Sequence, residues 1–113
     1  MIYFGFALSD SMFNSDVTVV RKTLSLIEVT KALLESEVSF CLNPSHEATV
    51  KAARVMGLQI QVPEKPPQVS LVLGDSLIIM QVRGLPRLTD RHEYTEQEVA
   101  KATFTFSVWT VVA

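Results

Sequence analysis

The chain has 113 residues, of which 48% are hydrophobic and 19% charged, with a formal net charge of -2. That length supports one domain able to bury roughly 65% of its unfolded surface, and the balance is far from that of disordered chains. A slightly acidic surface argues against binding long nucleic acid by bulk phosphate neutralisation, although it leaves room for a small local anion pocket.

Ile2, Phe4, Phe6 and Leu8 alternate with Tyr3, Gly5 and Ala7, the period of a central strand covered on both faces. Ser9-Asp10-Ser11 then forms a polar turn, and Asp16–Val20 is a second β-rich segment. Ser25 followed by Glu28 is a capping box, with Leu26, Ile27, Leu33 and Leu34 at helical spacing, so a helix to about Glu35 is expected. Val38–Leu42 reads as a short buried strand. It contains the single cysteine, Cys41, whose apolar surroundings suit a buried small hydrophobe better than a nucleophile. One cysteine excludes an intrachain disulfide framework, so a reducing, cytoplasmic setting is expected.

Asn43-Pro44-Ser45-His46-Glu47-Ala48-Thr49 follows directly. Asn43 or Ser45 can cap the next helix, Pro44 suits its first position under an Asn43 cap, and Gly57 stops it. A helix start offers free N–H groups and the positive dipole end to a phosphate, with His46 at its edge. An imidazole there can protonate a departing ribose oxygen, which is general acid catalysis. Val50 and Ala53 share the inward face with His46, while Lys51 and Arg54 are expected to remain in solvent.

Leu58–Val62 alternates like an edge strand, and Pro63–Pro67 is a stiff connector. Val69–Leu73 and Leu77–Val82 flank Gly74-Asp75-Ser76 and predict a hairpin whose second strand lies inside the sheet. Arg83, Arg87 and Arg91 then concentrate positive charge in the loop that leaves this strand, where arginine forks could meet phosphate beside His46. Thr95 and Glu98 form a second capping box, and Phe104, Phe106 and Val108 alternate with polar residues in a closing strand that Trp109 extends.

These elements predict a single α/β domain with a mixed central sheet of about five strands flanked by helices. No apolar run approaches the roughly 20 residues of a membrane span. Two histidines without a cysteine cluster, and acidic residues that are scattered rather than paired, predict chemistry without metal or other cofactor.

Three stretches together resemble the small viral ring nucleases that act as type III anti-CRISPR proteins, best known from archaeal viruses. Phe6–Phe13 resembles the family's opening strand and Ser/Asn ligand loop. Ser45-His46-Glu47-Ala48-Thr49 resembles its Gly-His-Asp-Ser-Thr helix start. Gln81–Asp90 resembles its strand, Arg-Leu pair and following acid. Phe6 stands in place of an asparagine, Ser45 in place of the glycine, and Gln68 in place of an arginine.

The resemblance implies a homodimer that binds cyclic tetra-adenylate and cuts it to linear di-adenylate bearing a cyclic phosphate, erasing the messenger of type III CRISPR immunity. It implies that His46 is the general acid, that Asp90 stands at the position of a catalytic glutamate, and that Arg87 contacts phosphate. Ser9, Ser11 and Ser45 fall at ligand-binding positions, and Arg83 is a further candidate for holding phosphate. A two-fold dimer also suits a ring of repeated nucleotides. The alternatives are a binding protein that sequesters a cyclic nucleotide uncut, and a structural protein pairing through Trp109 and the polar face of the last strand.

Overall fold

The structure, a computed structural model, describes residues 1–65, 67–88 and 93–113. Five strands form one sheet in the order β2-β5-β4-β1-β3: β1 (Ile2–Gly5), β2 (Val19–Leu24), β3 (Val38–Phe40), β4 (Ser76–Arg83) and β5 (Thr103–Val111). Among the described residues three α-helices accompany them: α1 (Leu26–Glu35), α2 (Glu47–Val55) and α3 (Glu96–Lys101). The expected mixed α/β sheet is therefore the fold.

Strand β1 pairs in parallel with both β3 and β4, while β5 runs antiparallel between β4 and β2. The C-terminal ends of β1, β3 and β4 consequently lie on one edge of the sheet, beside the start of β5, where Arg83 is in register with Thr103. Among the described residues, Ser9 and Ser11 follow the end of β1, Ser45 and His46 follow that of β3, and Arg83 ends β4.

Alternation divides the side chains of the sheet between two apolar layers. On one face Phe4, Ile78, Met80 and Phe106 pack with Val29 of α1 and Val50 and Ala53 of α2. On the other, Leu77, Ile79 and Val111 pack under Leu71, under the coil residues Leu8, Phe13 and Val17, and under Met12 of the short 3-10 turn Asp10–Met12. Helices thus cover the first face and irregular chain part of the second.

Both capping boxes form. Ser25 Oγ accepts from Glu28 N at 3.1 Å while Glu28 Oε1 accepts from Ser25 N at 3.0 Å, and Thr95 and Glu98 repeat the pattern before α3. The Ser25 bonds hold the Glu28 carboxyl below its ordinary range, because they favour the ionised form.

Three expectations fail. Val69–Leu73 is not a strand, so no local hairpin forms: β4 takes its partners from β1 and β5 instead. The turn itself is real. Gly74 has φ +90°, the buried Asp75 accepts from Val72 N at 3.0 Å, and Leu71 N donates to Met12 O at 2.7 Å, which binds this segment to the coil following β1. The second strand starts at Val19 rather than Asp16 and continues through Arg21 and Lys22, whose exposure is allowed because β2 is an edge. Leu58–Val62 buries Leu58 and Ile60 as coil, and Arg54, exposed as expected, also donates from Nε and Nη2 to Ile60 O at 3.0 and 2.8 Å.

Candidate functional site

Two close approaches bring β1 and β3 together beneath the site. Cys41 N donates to Phe4 O at 2.9 Å, and the Cys41 thiol reaches the same oxygen at 3.2 Å. A Cβ on Gly5 would lie 2.9 Å from Cys41 Sγ, so the missing side chain is what lets these strands approach. Burial pushes the Cys41 thiol up, which favours the neutral form and suits a packing role.

From Leu42, which is buried, the chain enters Pro44–His46, a single tight turn before α2. Asn43 is its cap: Oδ1 accepts from Ser45 N at 2.9 Å, and Asn43 O accepts from His46 N at 2.9 Å. Pro44 fits because its absent N–H had no partner to lose there. His46 is the N-cap residue of α2 but makes no side-chain cap bond. Its ring is exposed and lies against Phe6 instead, with centroids 5.2 Å apart and planes tilted by 50°.

Phe6 and Thr49 line a cleft of about 360 Å³ with Met80, Gln81, Val82 and Arg83. Thr49 lies three positions beyond His46, on the same face of the helix start. Arg83 is exposed at the end of β4, and neither it nor Arg87 takes part in a salt bridge among the described residues. A hydroxyl and an uncommitted guanidinium line this opening, and the imidazole lies against Phe6 on its rim. The arrangement can bind a phosphodiester and hand it a proton.

The serines of the first loop fall elsewhere on the same edge. Ser9 and Ser11 are exposed, with their hydroxyls 2.9 Å apart across a short turn at Asp10–Met12. Ser11 lines a second groove of about 460 Å³ with Asn14, Cys41, Gln68 and Ser70. Asn14 Nδ2 donates to Ser70 Oγ at 2.6 Å across it. The structure therefore divides the candidates, grouping His46 with Arg83 through Phe6 and Ser11 with Gln68. Ser45 is exposed in the capped turn, and Arg87 is exposed in the coil beyond Gly84. Asp90 lies outside the described residues, as do Arg91 and His92.

Phe6, Thr49 and Gln81 were not among the site residues expected from sequence. Thr49 could have been found from its spacing to His46, whereas Gln81 is recognisable only as the first polar residue after the apolar run of β4. Lys51 pairs with Glu93 at 2.6 Å and Glu47 at 3.6 Å, tying α2 to the segment before α3. The Glu93 carboxylate holds the Lys51 ammonium above its ordinary range, and Lys51 holds Glu93 below its own.

Fold and site together define a small α/β protein with a mixed five-stranded sheet and a cleft, lined in part by Thr49 and Arg83, at the C-terminal edge of its parallel strands. A solved structure of similar fold is B116 of Sulfolobus turreted icosahedral virus, at TM-score 0.69 and 15% sequence identity, covering 96% of this chain and 97% of that one. At that identity the likeness is one of fold. No family model and no curated protein matches this sequence. Among the described residues no helix is long and apolar enough to cross a membrane, and no cluster of three or more His, Cys, Asp or Glu could hold a metal ion.

Proposed function

We propose that this protein is a metal-independent ring nuclease acting on a cyclic oligoadenylate, cyclic tetra-adenylate in the first instance, and thereby countering type III CRISPR signalling. The observation that carries the reading is His46 at the start of α2, held against Phe6 beside a cleft that Thr49 and Arg83 share. An archaeal-virus protein with the same fold supports it, as does the resemblance of the three sequence motifs.

In the proposed reaction a ribose 2′-oxygen attacks the adjacent phosphorus in line with the bond from phosphorus to the 5′-oxygen. That bond breaks, and the His46 imidazolium protonates the leaving 5′-oxygen, while the 2′-hydroxyl proton passes to water. Two cuts on opposite sides of the ring release linear di-adenylate ending in a 2′,3′-cyclic phosphate. Arg83 and Arg87 bind phosphate oxygens, Ser9, Ser11 and Ser45 hold the ligand, and Asp90 assists at the scissile group. A homodimer presents one such set to each half of the ring.

The test incubates the protein with cyclic tri-, tetra- and hexa-adenylate in EDTA and resolves the products by chromatography with mass detection. Conversion of one ring to a cyclic-phosphate product supports the reading. Intact ring recovered in stoichiometric amount after denaturation would establish sequestration instead.

A further inference from the structure

The face of the sheet away from the helices carries a third depression, of about 320 Å³, lined by Phe6, Ala7, Leu8, Arg21, Ile79, Gln81, Ser107 and Trp109. Its size falls at the lower end of the roughly 300–1,000 Å³ range of small-ligand sites. Register builds it. Arg21 of β2 and Leu77 of β4 both face Trp109 of β5, and Ser107 is in register with Ile79. The Arg21 guanidinium carbon stands over the indole, 5.7 Å from the ring centroid. Trp109 Nε1 donates to Ser107 Oγ at 3.0 Å, which fixes the indole and leaves the Ser107 proton to be donated elsewhere. Ser107 is 6% exposed, whereas Arg21 and Gln81 are exposed.

Phe6 and Gln81 line both this depression and the His46 cleft, so the two abut at the end of the sheet. We propose that the Arg21–Trp109 depression binds a purine base of the nucleotide ligand. The base stacks on the outer face of the guanidinium, whose inner face covers the indole, and Gln81 and Ser107 bond its edge. Stacking of bases on arginine planes and aromatic rings is a recurrent mode for unpaired nucleotides. A neutral base suits a pocket with one cation already engaged with a ring, and the phosphates are left to the uncommitted Arg83 beyond Phe6. This inference rests on the proposed nucleotide ligand and adds a base contact remote from the scissile phosphate.

Trp109 is the chain's single tryptophan, so its emission reports on this site alone. The experiment titrates the intact protein with adenosine, adenosine monophosphate and inorganic phosphate, exciting Trp109 at wavelengths where adenine does not absorb. The expected result is saturable quenching by adenosine and its monophosphate but not by phosphate. Arg21→Gln, on an exposed edge strand, should weaken that binding by about fivefold or more. Quenching by phosphate alone would make this an anion site and overturn the proposal. Unchanged emission with adenosine and its monophosphate would overturn it too, as would unchanged affinity in Arg21→Gln. Ring cleavage is measured separately: cleavage without quenching refutes only the base site, and quenching without cleavage refutes only the nuclease reading.

Discussion

Replacing Gly5 by alanine tests the packing on which the site stands. The added Cβ would lie 2.9 Å from Cys41 Sγ, with its next neighbours, Leu77 Cδ1 and Cys41 O, at ordinary distances of 3.7 and 3.8 Å. Only the sulfur must move, and it is bound to Phe4 O at 3.2 Å. Overpacking of this kind costs about 1–3 kcal/mol. Against it, alanine restricts the unfolded chain and contributes about 0.4–1 kcal/mol where its backbone conformation is allowed. The net is a loss of roughly 0.5–2 kcal/mol, and Tm falls by roughly 2–8 °C at about 4 °C per kcal/mol. In a Cys41→Ala background the sulfur is gone, and the same Gly5→Ala change should become stabilising by about 0.4–1 kcal/mol. Urea unfolding of the four proteins of this cycle gives both numbers. An effect of Gly5→Ala with the same sign and size in both backgrounds would refute the close-approach argument.

Removing the Arg54 side chain (Arg54→Ala) deletes both bonds to Ile60 O and should cost about 1.5–3 kcal/mol in urea unfolding, with Arg54→Lys recovering part of it. Ser25→Ala breaks the capping box of α1 and should cost about 1 kcal/mol, read as a lower urea midpoint at unchanged slope. Glu28 and Glu93 both have lowered folded pKa values, so what they contribute is present above the ordinary carboxylate pKa and lost as pH falls through the folded values. Lys51 has a raised one, so its contribution is present below its ordinary pKa and lost as pH rises through the folded value. Lys51→Met should flatten the alkaline limb of the stability profile and part of the acid limb, leaving the Glu28 part in place.

Local signals in the sequence carried a large part of this structure. Both capping boxes, the stop at Gly57 with φ +93°, and the alternation of β5 depend on neighbours a few residues apart, and each is found where its pattern lies, whereas β1 ends at Gly5 although its alternation runs on to Leu8. Pairing is not local. Leu77–Met80 was recognisable as an interior strand, but its partners are β1, more than seventy residues earlier, and β5, beyond α3. The nearer Val69–Leu73 offered an equally good alternating pattern, and lost because it covers the second face of the sheet as coil. At the site, the Asn43-Pro44 signature gave the capped turn under His46, with the cap resolved to Asn43. The contact of Phe6 with His46 and the shared lining with Arg83 arise from strands adjacent in space only, so no spacing along the chain announces them. The separation of Ser11 from that cleft follows from the same topology.

The proposed role of His46 is tested most directly by the single-turnover cleavage rate of cyclic tetra-adenylate by the unaltered protein and by His46→Ala in EDTA, with ring affinity measured alongside. His46 is exposed and makes no cap bond, so its loss should change stability by no more than about 0.5 kcal/mol. Cleavage should slow by roughly 10²–10⁴-fold with binding nearly unchanged, since the imidazole acts on the leaving oxygen rather than on the bound ring. A variant that cuts the ring at the original rate would contradict the assignment of His46 as the general acid.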